Sequence, residues 1–202
     1  MNYQLVKFTA AYGTSGQLPA SSAPEVSFVG RSNVGKSSIM NKIFGRKGLV
    51  KVSSTPGKTS TINFFDVEGV QFVDLPGYGF AKVAKSEKGR WSELIEGYFA
   101  QDRRFALVVS LIDIRHDATK DDLKMVQFLE ERELPYVVAF TKADKLSKAQ
   151  QQRQIATIAK QLAAAGANPI VLATSSESGQ GIDDLRALIE DAISQEQNFP
   201  AQ

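Results

Sequence analysis

The sequence contains no cysteine and only one histidine. Without cysteine there can be no disulfide framework, no thiolate metal site and no cysteine nucleophile. The single histidine, His116, has no nucleophile near it in the sequence and is more typical of a loop residue than of a catalyst. These absences exclude the function classes that depend on thiol chemistry.

Long apolar runs are also missing. No stretch reaches the roughly 20 apolar residues that cross a bilayer, and residues 1–5 lack the basic and then apolar pattern of a signal peptide. The expectation is a cytoplasmic protein without a membrane span. Its 202 residues, 43% of them hydrophobic, suit one domain with a sizeable core. The net charge of +2 is only weak evidence for an anionic partner.

Turn-forming residues suggest the domain boundaries. Residues 13–24 are rich in Gly, Pro and Ser and separate a short N-terminal arm from the first core strand. The prediction is an N-terminal arm and loop at 1–24, a single domain at 25–194 and a disordered tail at 195–202.

Short apolar runs alternate with runs of helical spacing. The apolar runs at 25–29, 105–112, 136–140 and 169–173 predict strands that are buried on both faces. Runs at 61–67 and 70–75, joined by Glu68 and Gly69, predict an antiparallel hairpin. The pattern favours a three-layer α/β fold with helices on both faces of a mostly parallel six-stranded sheet, which has one antiparallel edge strand. Ligands of such a fold bind at the carboxyl ends of the strands.

A phosphate-binding loop follows the first of these strands, with the sequence GRSNVGKSS at 30–38. Two glycines free the backbone to point its N–H groups at a phosphate, Lys36 neutralises charge and the Ser37 hydroxyl can ligate Mg²⁺. The loop opens into a helix whose positive end faces the same phosphates. The predicted nucleotide-binding residues are Gly30, Arg31, Ser32, Asn33, Val34, Gly35, Lys36, Ser37 and Ser38.

A second phosphate-side element, Asp74–Leu75–Pro76–Gly77, ends the predicted hairpin. The Asp74 carboxylate can hold Mg²⁺ through water, and the Gly77 N–H can meet a γ-phosphate oxygen. By itself this pattern is a common turn. Its occurrence together with the phosphate loop favours the nucleotide-binding interpretation.

A base-reading element follows the strand at 136–140. The Asp144 carboxylate can accept two hydrogen bonds from N1–H and the 2-amino group of guanine, which adenine does not offer. The stem of Lys142 would lie over the base. Asn usually stands where this chain has Thr141, so the shorter hydroxyl must tether the neighbouring loops. The competing interpretation of 142–144 is a charged turn before the helix that starts near Ser147. The predicted nucleotide-binding residues of this element are Thr141, Lys142, Ala143 and Asp144.

Two weaker elements complete the predicted site. Residues Thr174, Ser175 and Ser176 follow the last strand, and a backbone N–H near Ser176 would reach the guanine O6. Residues 53–61 have no periodicity and are expected to sense the γ-phosphate. Within them the predicted nucleotide-binding residues are Gly57, Lys58, Thr59, Ser60 and Thr61. Thr59 is the preferred Mg²⁺ ligand, and Thr61 is its rival.

Together these segments make the chain similar to the bacterial EngB/YsxC (YihA) type of GTPase, in the TrmE-Era-EngA-YihA-septin branch. The similarity runs from about residue 6 to residue 193. It is carried by GRSNVGKSS at 30–38, STPGKT at 54–59, INFF at 62–65, DLPGYGFA at 74–81 and TKADKL at 141–146. The resemblance implies a Ras-like G domain, GTP and GDP as ligands and Thr59 as the Mg²⁺ partner. A monomer is expected. It also implies a role in assembly of the large ribosomal subunit and a link to normal septation.

The expected hydrolysis is slow. Ras-like GTPases orient the attacking water with a Gln after the glycine that corresponds to Gly77, whereas this chain has Tyr78 there. In relatives of this branch an Asn at the position of Asn33 helps to bind K⁺, so K⁺-assisted hydrolysis is a hypothesis. The alternative is that Asn33 only stabilises the loop. The residues assigned to catalysis are Lys36, Thr59, Gly77 and Asn33.

Basic residues flank both nucleotide-sensitive segments: Lys42, Arg46, Lys47, Lys51 and Lys58 around the first, and Lys82, Lys85, Lys88 and Arg90 around the second. With the family resemblance they favour a surface for rRNA whose binding responds to the nucleotide. Two other function classes stay open: a P-loop kinase, and a nucleotide-binding scaffold in cell division with little turnover.

Overall fold

The computed structural model describes residues 1–51, 61–79 and 85–198, with the backbone alone at 85–88. Its helices and strands follow the order expected for alternating α/β units. They are β1 (Lys7–Tyr12), β2 (Glu25–Gly30), α1 (Lys36–Phe44), β3 (Ile62–Val67), β4 (Val70–Asp74), α2 (Lys85–Phe99), β5 (Phe105–Asp113), α3 (Lys120–Glu131), β6 (Tyr136–Thr141), α4 (Lys148–Ala164), β7 (Ile170–Ala173) and α5 (Ile182–Asn198).

The strands form one seven-stranded sheet in the order β1-β3-β4-β2-β5-β6-β7. The contacts of β2 with β4 and β5, of β5 with β6 and of β6 with β7 are parallel, and β3 is the antiparallel strand. Glu68 and Gly69 join β3 to β4 with φ values of 52° and 84°, as a tight hairpin with two positive φ angles requires. The predicted fold class and the hairpin are confirmed.

The sheet has one strand more than the six predicted. Residues 7–12 of the predicted N-terminal arm form β1, which pairs with β3 at the edge and has a bulge between Phe8 and Ala10. Thr9 adds a side-chain bond of 3.0 Å from its hydroxyl to the Phe64 carbonyl. The arm is therefore part of the sheet, and the antiparallel strand β3 is second from the edge.

Both faces of the sheet carry an apolar core. On one face Phe28 and Phe72 pack with Ile39 and Phe44 of α1 and with the buried side of α5. On the other face Val29 and Val73 pack against α2, and the far strands pack against α3 and α4. The alternation of neighbouring side chains in β2 produces this division, because Phe28 and Val29 point to opposite faces.

A buried ion pair fixes the N-terminal end of β2. The Glu25 carboxylate, which is 1% exposed, accepts hydrogen bonds from Arg103 Nε at 2.9 Å and Nη2 at 2.7 Å and from the Tyr98 hydroxyl at 2.7 Å. Ser21 and Ser27 complete the cluster by bonding to Glu25 and Tyr98. Full pairing offsets the desolvation cost of burying these charges.

The predicted disordered tail is wrong at residues 195–198. Helix α5 continues to Asn198, because Arg104 Nε and Nη2 hold the Glu196 carboxylate at 2.7 and 2.9 Å. Residues 199–202 lie outside the described part. Within the described ranges no helix is both long and apolar enough to cross a membrane.

Candidate nucleotide-binding site

The predicted phosphate loop joins β2 to α1, the strand–loop–helix context that this loop requires. Asn33 and Gly35 have φ values of 64° and 102°, which turn the backbone back on itself. A Cβ at Gly30 would lie 2.9 Å from Val34 Cγ1 and 3.1 Å from the Leu111 carbonyl oxygen, so the start of the loop needs glycine. No side chain caps α1 at Gly35, and the first N–H groups of a helix have no partner within the helix. The geometry suits an anion at this end of α1.

The two charges predicted to meet phosphate and Mg²⁺ are next to each other. Lys36 Nζ forms an ion pair with Asp74 Oδ1, and their side chains are 11% and 10% exposed. Asn63 Nδ2 donates to the other Asp74 oxygen at 3.4 Å, and the Thr61 hydroxyl donates to the Asn63 side-chain oxygen at 3.0 Å. Thus Thr61, the rival Mg²⁺ ligand, connects to Asp74 through Asn63.

The remaining predicted metal ligand described by the structure is Ser37, whose hydroxyl donates to the Lys51 carbonyl at 3.3 Å. Ser37 and Asp74 offer one hydroxyl and one carboxylate, and the described ranges contain no group of three or more His, Asp or Glu side chains that could hold a metal ion. Such a sparse oxygen set fits Mg²⁺, which takes its other ligands from phosphates and water. Gly57, Lys58, Thr59 and Ser60 lie outside the described residues.

The segment at Gly77 and Tyr78 lies directly against the phosphate loop. Tyr78 N–H donates to the Gly30 carbonyl at 3.2 Å, and Ser32 N–H donates to the Tyr78 carbonyl at 2.8 Å. A Cβ at Gly77 would lie 3.0 Å from Ser32 Oγ and 3.1 Å from its Cα. Only glycine lets the two backbones approach this closely. The loop and Gly77 therefore move as one unit unless these bonds break.

The Tyr78 hydroxyl donates to Asp122 Oδ1 in the first turn of α3, at 3.2 Å. Asp122 is 3% exposed and also accepts bonds from Thr119 N–H and its hydroxyl at 2.9 and 2.7 Å. Burial, together with the charge of Asp122, raises the pKa of Tyr78 well above its ordinary value. The phenol stays protonated, and its hydroxyl proton is used in the hydrogen bond to α3.

The base-reading element is tied to the phosphate loop at two points. The Thr141 hydroxyl donates to the Val34 carbonyl at 2.7 Å, which is the tether predicted from the sequence. Lys142, in the left-handed region at φ 62°, donates from Nζ to the Asn33 carbonyl at 2.9 Å and to Asp113 Oδ2 at 2.8 Å. These bonds fix the distance between the phosphate end and the base end of the site.

Ala143, which the sequence analysis grouped with the nucleotide-binding residues, differs from its neighbours in this element. Its side chain is fully buried, and its N–H donates to the Thr174 carbonyl at 3.1 Å. Its carbonyl accepts bonds from Gln151 Nε2 at 2.7 Å and from Leu146 N–H at 3.1 Å. Its N–H and carbonyl are thus paired within the protein, and its assignment to the nucleotide-binding residues stays a prediction. Its role in this structure is to anchor the turn that presents Asp144.

Asp113, at the end of β5, is a site residue that the sequence analysis missed. Arg115 Nε and Nη2 donate to its two oxygens at 2.9 and 2.7 Å. Burial acts to raise the pKa of Asp113, but the hydrogen bonds from Arg115 and Lys142 outweigh it and hold this pKa well below its usual range. The position could have been found, since it is the carboxyl end of a parallel strand.

Asp144, the predicted base reader, accepts a bond from the Ser175 hydroxyl at 2.6 Å and pairs with Lys145 at 3.0 Å. The Ser175 bond is the main cause that lowers the pKa of Asp144, so the carboxylate is ionised. The Ser175 hydroxyl also accepts bonds from Glu177 N–H and Ser178 N–H at 3.2 and 3.1 Å. Ser175 is among the predicted site residues, but the bond by which its side chain orients Asp144 depends on the fold and has no signal in the sequence.

The predicted segments that the structure describes meet at one edge of the sheet. The loop at 30–38 follows β2, Asp74–Gly77 ends β4, Thr141–Asp144 ends β6 and Thr174–Ser176 follows β7. Thr174 is buried and locks the last loop, since its N–H and hydroxyl both donate to the Phe140 carbonyl, at 2.6 and 2.9 Å. This arrangement can hold a phosphate chain at α1 and present one carboxylate to a base.

Comparisons with known proteins agree with this geometry. A family model described as "50S ribosome-binding GTPase" matches residues 25–142. A probable GTP-binding protein EngB of Bacillus cereus (strain G9842) is 47% identical over 169 residues, which cover 83% of this chain and 85% of that protein. Another probable EngB protein, from Syntrophomonas wolfei, is 43% identical over 183 residues, which cover 90% of this chain and 93% of that protein. A crystal structure of a probable GTP-binding protein EngB matches with a TM-score of 0.68 and 25% identity, over 85% of this chain and 99% of that one.

Proposed function

The chain belongs to the EngB family of GTP-binding proteins, and from this membership we propose that it is a slow GTPase that assists assembly of the large ribosomal subunit. The bound nucleotide switches its affinity for rRNA and ribosomal particles. The observation that carries the nucleotide assignment is the bond from Thr141 to Val34, which joins the base reader to the phosphate loop. The description of the matching family model supports the ribosomal partner.

The predicted phosphate and Mg²⁺ residues have different roles in the proposed binding of the triphosphate. Lys36 exchanges its ion pair with Asp74 for the phosphates, and the Gly77 N–H donates to a γ-phosphate oxygen. Ser37 and Asp74, with Thr59, are the residues that would hold Mg²⁺. When bound, Mg²⁺ neutralises charge on the phosphates. Slow turnover follows from Tyr78, because its hydroxyl is bonded to Asp122 and does not orient water.

Asn33 is proposed to assist hydrolysis together with K⁺. Its backbone is fixed at φ 64° by the bond from Lys142 to its carbonyl, while the residue itself is exposed. If Asn33 contributes a K⁺ ligand, turnover is faster in K⁺ than in Na⁺. Equal rates in the two buffers leave Asn33 with a purely structural role.

The proposed rRNA surface begins at α1 and the segment after it, where four cations are exposed: Lys42, Arg46, Lys47 and Lys51. Arg90 of α2 is exposed as well, while Lys58 and Lys82 lie outside the described residues and only the backbone is described at Lys85 and Lys88. Contacts of such cations with phosphates are salt-dependent. The proposal places a monomer in the cytoplasm, and the septation role follows from ribosome supply.

The first experiment separates this function from its alternatives. Labelled GDP is competed with GTP, ADP and ATP, and single-turnover hydrolysis is measured with and without precursor particles of the large subunit. We expect competition by GTP alone and slow hydrolysis. Competition by adenine nucleotides would favour a P-loop kinase, and absence of turnover with and without particles would favour a scaffold.

The second experiment tests the ribosomal partner by co-sedimentation with large-subunit particles. Lys47→Glu combined with Lys51→Glu reverses two exposed charges and should weaken particle binding while GDP affinity stays unchanged. Lys160→Glu, on exposed α4, is the matched control. Equal sedimentation of all three proteins would remove the proposed surface.

A further inference from the structure

A cavity of about 640 Å³ opens between α2 and α3, next to the candidate nucleotide site. Arg31 of the phosphate loop and Tyr78 line the side that it shares with that site, and Asp121 and Phe128 line it from α3. This volume is in the range of small-ligand sites. Because Tyr78 also bonds to the phosphate loop, an occupant would touch the segment that carries Gly77.

The polar groups of the cavity have unused hydrogen-bonding capacity. Arg31 Nε is buried without a hydrogen-bond partner, and Arg31 forms no ion pair with any residue of the described ranges. A Cβ at Gly79 would lie 3.0 Å from Arg31 Nε and 3.2 Å from Asp121 Oδ2. Arg31 Nε and Asp121 Oδ2 therefore both lie close to Gly79, which places a donor and an acceptor together on one side of the cavity. An unmet buried donor is costly, so a ligand that pairs with Arg31 gains affinity.

Much of the lining is apolar and aromatic. Trp91 of α2, which is 8% exposed, lines the cavity, as do Met125, Phe128 and Tyr78. Side chains of this kind pack against flat rings. The acidic Glu96 and Asp121 offset the basic Arg31 and Lys124 around the opening, which favours an uncharged polar ring over a free anion.

We propose that this cavity binds one unpaired nucleobase of the RNA partner. A base offers what the walls lack: a flat ring to stack on the aromatic side, an acceptor for Arg31 and an N–H donor for Asp121. Lys124 at the opening suits the adjoining phosphate. The inference rests on the proposed rRNA partner and adds where and how a single base is recognised, beside the segment that senses the nucleotide.

Trp91 provides the measurement, because it is the only tryptophan of the chain. The protein is saturated with GDP and Mg²⁺, so that the guanine site is filled, and is titrated with short homopolymer oligoribonucleotides of A, C, G or U that lack terminal phosphates. Stacking in the cavity quenches Trp91 fluorescence saturably. We expect the four affinities to differ, with about a tenfold spread between the best and the worst, as is typical of one set of base-edge hydrogen bonds.

Asp121→Asn replaces the proposed acceptor by a group that donates as well as accepts. It should weaken binding of the preferred homopolymer about tenfold and change the order of preference. Asp184→Asn is the matched control, since Asp184 is also an exposed acid in the first turn of a helix, α5. Phe128→Leu removes an aromatic face at similar volume and should reduce the affinity for all four homopolymers.

The outcomes separate this inference from the proposed function. No quenching, or equal quenching by all four homopolymers that Asp121→Asn leaves unchanged, overturns the base pocket. If ribosomal particles still co-sediment in that case, the proposed function stands without it. Base-selective quenching that Asp121→Asn alters, with no particle binding by the natural protein, supports the pocket and rejects the ribosomal partner.

Discussion

The hydroxyl of Thr141 donates a 2.7 Å hydrogen bond to the carbonyl oxygen of Val34, across 107 residues of sequence. Thr141 is 1% exposed, so Thr141→Val leaves a buried carbonyl without this donor. The loss of about 1–2 kcal/mol expected for such a group should raise the Kd for GDP about tenfold. Thr157→Val, which removes the bond from the exposed Thr157 hydroxyl to the Arg153 carbonyl, should leave the Kd unchanged in the same calorimetric titration. Equal Kd values for both variants would refute the tether.

Gly77 is expected to distinguish GTP from GDP. Gly77→Ala adds a Cβ only 3.0–3.2 Å from Ser32 atoms, which pushes the segment away from the phosphate loop. Affinity for a non-hydrolysable GTP analogue should fall more than affinity for GDP, because the Gly77 N–H is proposed to donate to the γ-phosphate. Gly89→Ala is the control, since nothing lies within 4 Å of its Cβ position. An equal loss for both nucleotides would exclude the γ-phosphate contact.

Tyr78 should be dispensable for chemistry. Tyr78→Phe removes only the hydroxyl that donates to Asp122, which costs about 1 kcal/mol of unfolding free energy and leaves single-turnover GTP hydrolysis within about twofold. Tyr136→Phe is the control. It removes the hydroxyl that donates to the exposed Glu130, so it measures what the loss of a tyrosine hydroxyl does elsewhere in the protein. A hydrolysis rate reduced more than about tenfold in Tyr78→Phe alone would mean that the hydroxyl reaches the reaction (about 1.4 kcal/mol of barrier).

Asp113 should stabilise the fold in a pH-dependent manner. Its pKa is lowered in the folded protein by Arg115 and Lys142, so its contribution is complete above the unfolded-chain pKa, about 3.9, and is lost as the pH falls through the lower folded value. Asp113→Asn should therefore cost about 1 kcal/mol at pH 7, a value limited by solvent screening, and the difference from the natural protein should narrow below about pH 4. Urea unfolding at a series of pH values between 7 and about 3 measures this difference in the free energy of unfolding, with Asp117→Asn as the control. A difference independent of pH would contradict the ion-pair explanation.

Asp144 should determine the choice of base. Asp144→Asn replaces one of the two acceptor oxygens of the carboxylate by an amide group that donates. Affinity for GTP should therefore fall about a hundredfold, and xanthine nucleotides should become preferred. Asp191→Asn, at an exposed position of α5, should bind both nucleotides like the natural protein. Retained guanine preference in Asp144→Asn would move base recognition to another residue.

Local patterns in the sequence were enough to predict the parts of the site that lie on single segments. The loop at 30–38, the hairpin at Glu68 and Gly69 and the tether of Thr141 each depend on residue types at fixed spacing, and the structure has all three. The edge strand β1 was missed because its residues are mostly exposed and do not alternate. It is a strand only because β3 offers an edge to pair with.

The contacts between segments could not be predicted. Asn63 approaches Asp74 because β3 and β4 align them in register, and Tyr78 reaches Asp122 across 44 residues. Such pairs depend on how helices and strands are placed in three dimensions, which spacing along one chain does not contain. The same is true of Glu196, whose bond to Arg104 keeps α5 helical past residue 194.

The burial of Ala143 inside the base-reading element could not be predicted from the sequence either. Ala143 lies between two residues of the base-reading element, so its place in the chain suggested a contact with the nucleotide. In the structure its backbone bonds to Leu146 of the same turn, to Gln151 of α4 and to Thr174 after β7. A residue inside a predicted binding motif can thus also hold the backbone of that motif in place.

The six residues of β2 connect the Glu25–Arg103 cluster at one end to the phosphate loop at the other. The cluster immobilises the strand, and the strand pairs with β4 and β5 along its length. Exchange of one nucleotide for another must therefore leave the sheet in place and act through the loops at its far edge. We therefore expect a partner that distinguishes GTP from GDP to contact the loops that follow β2, β4 and β6 and not the opposite end of the sheet.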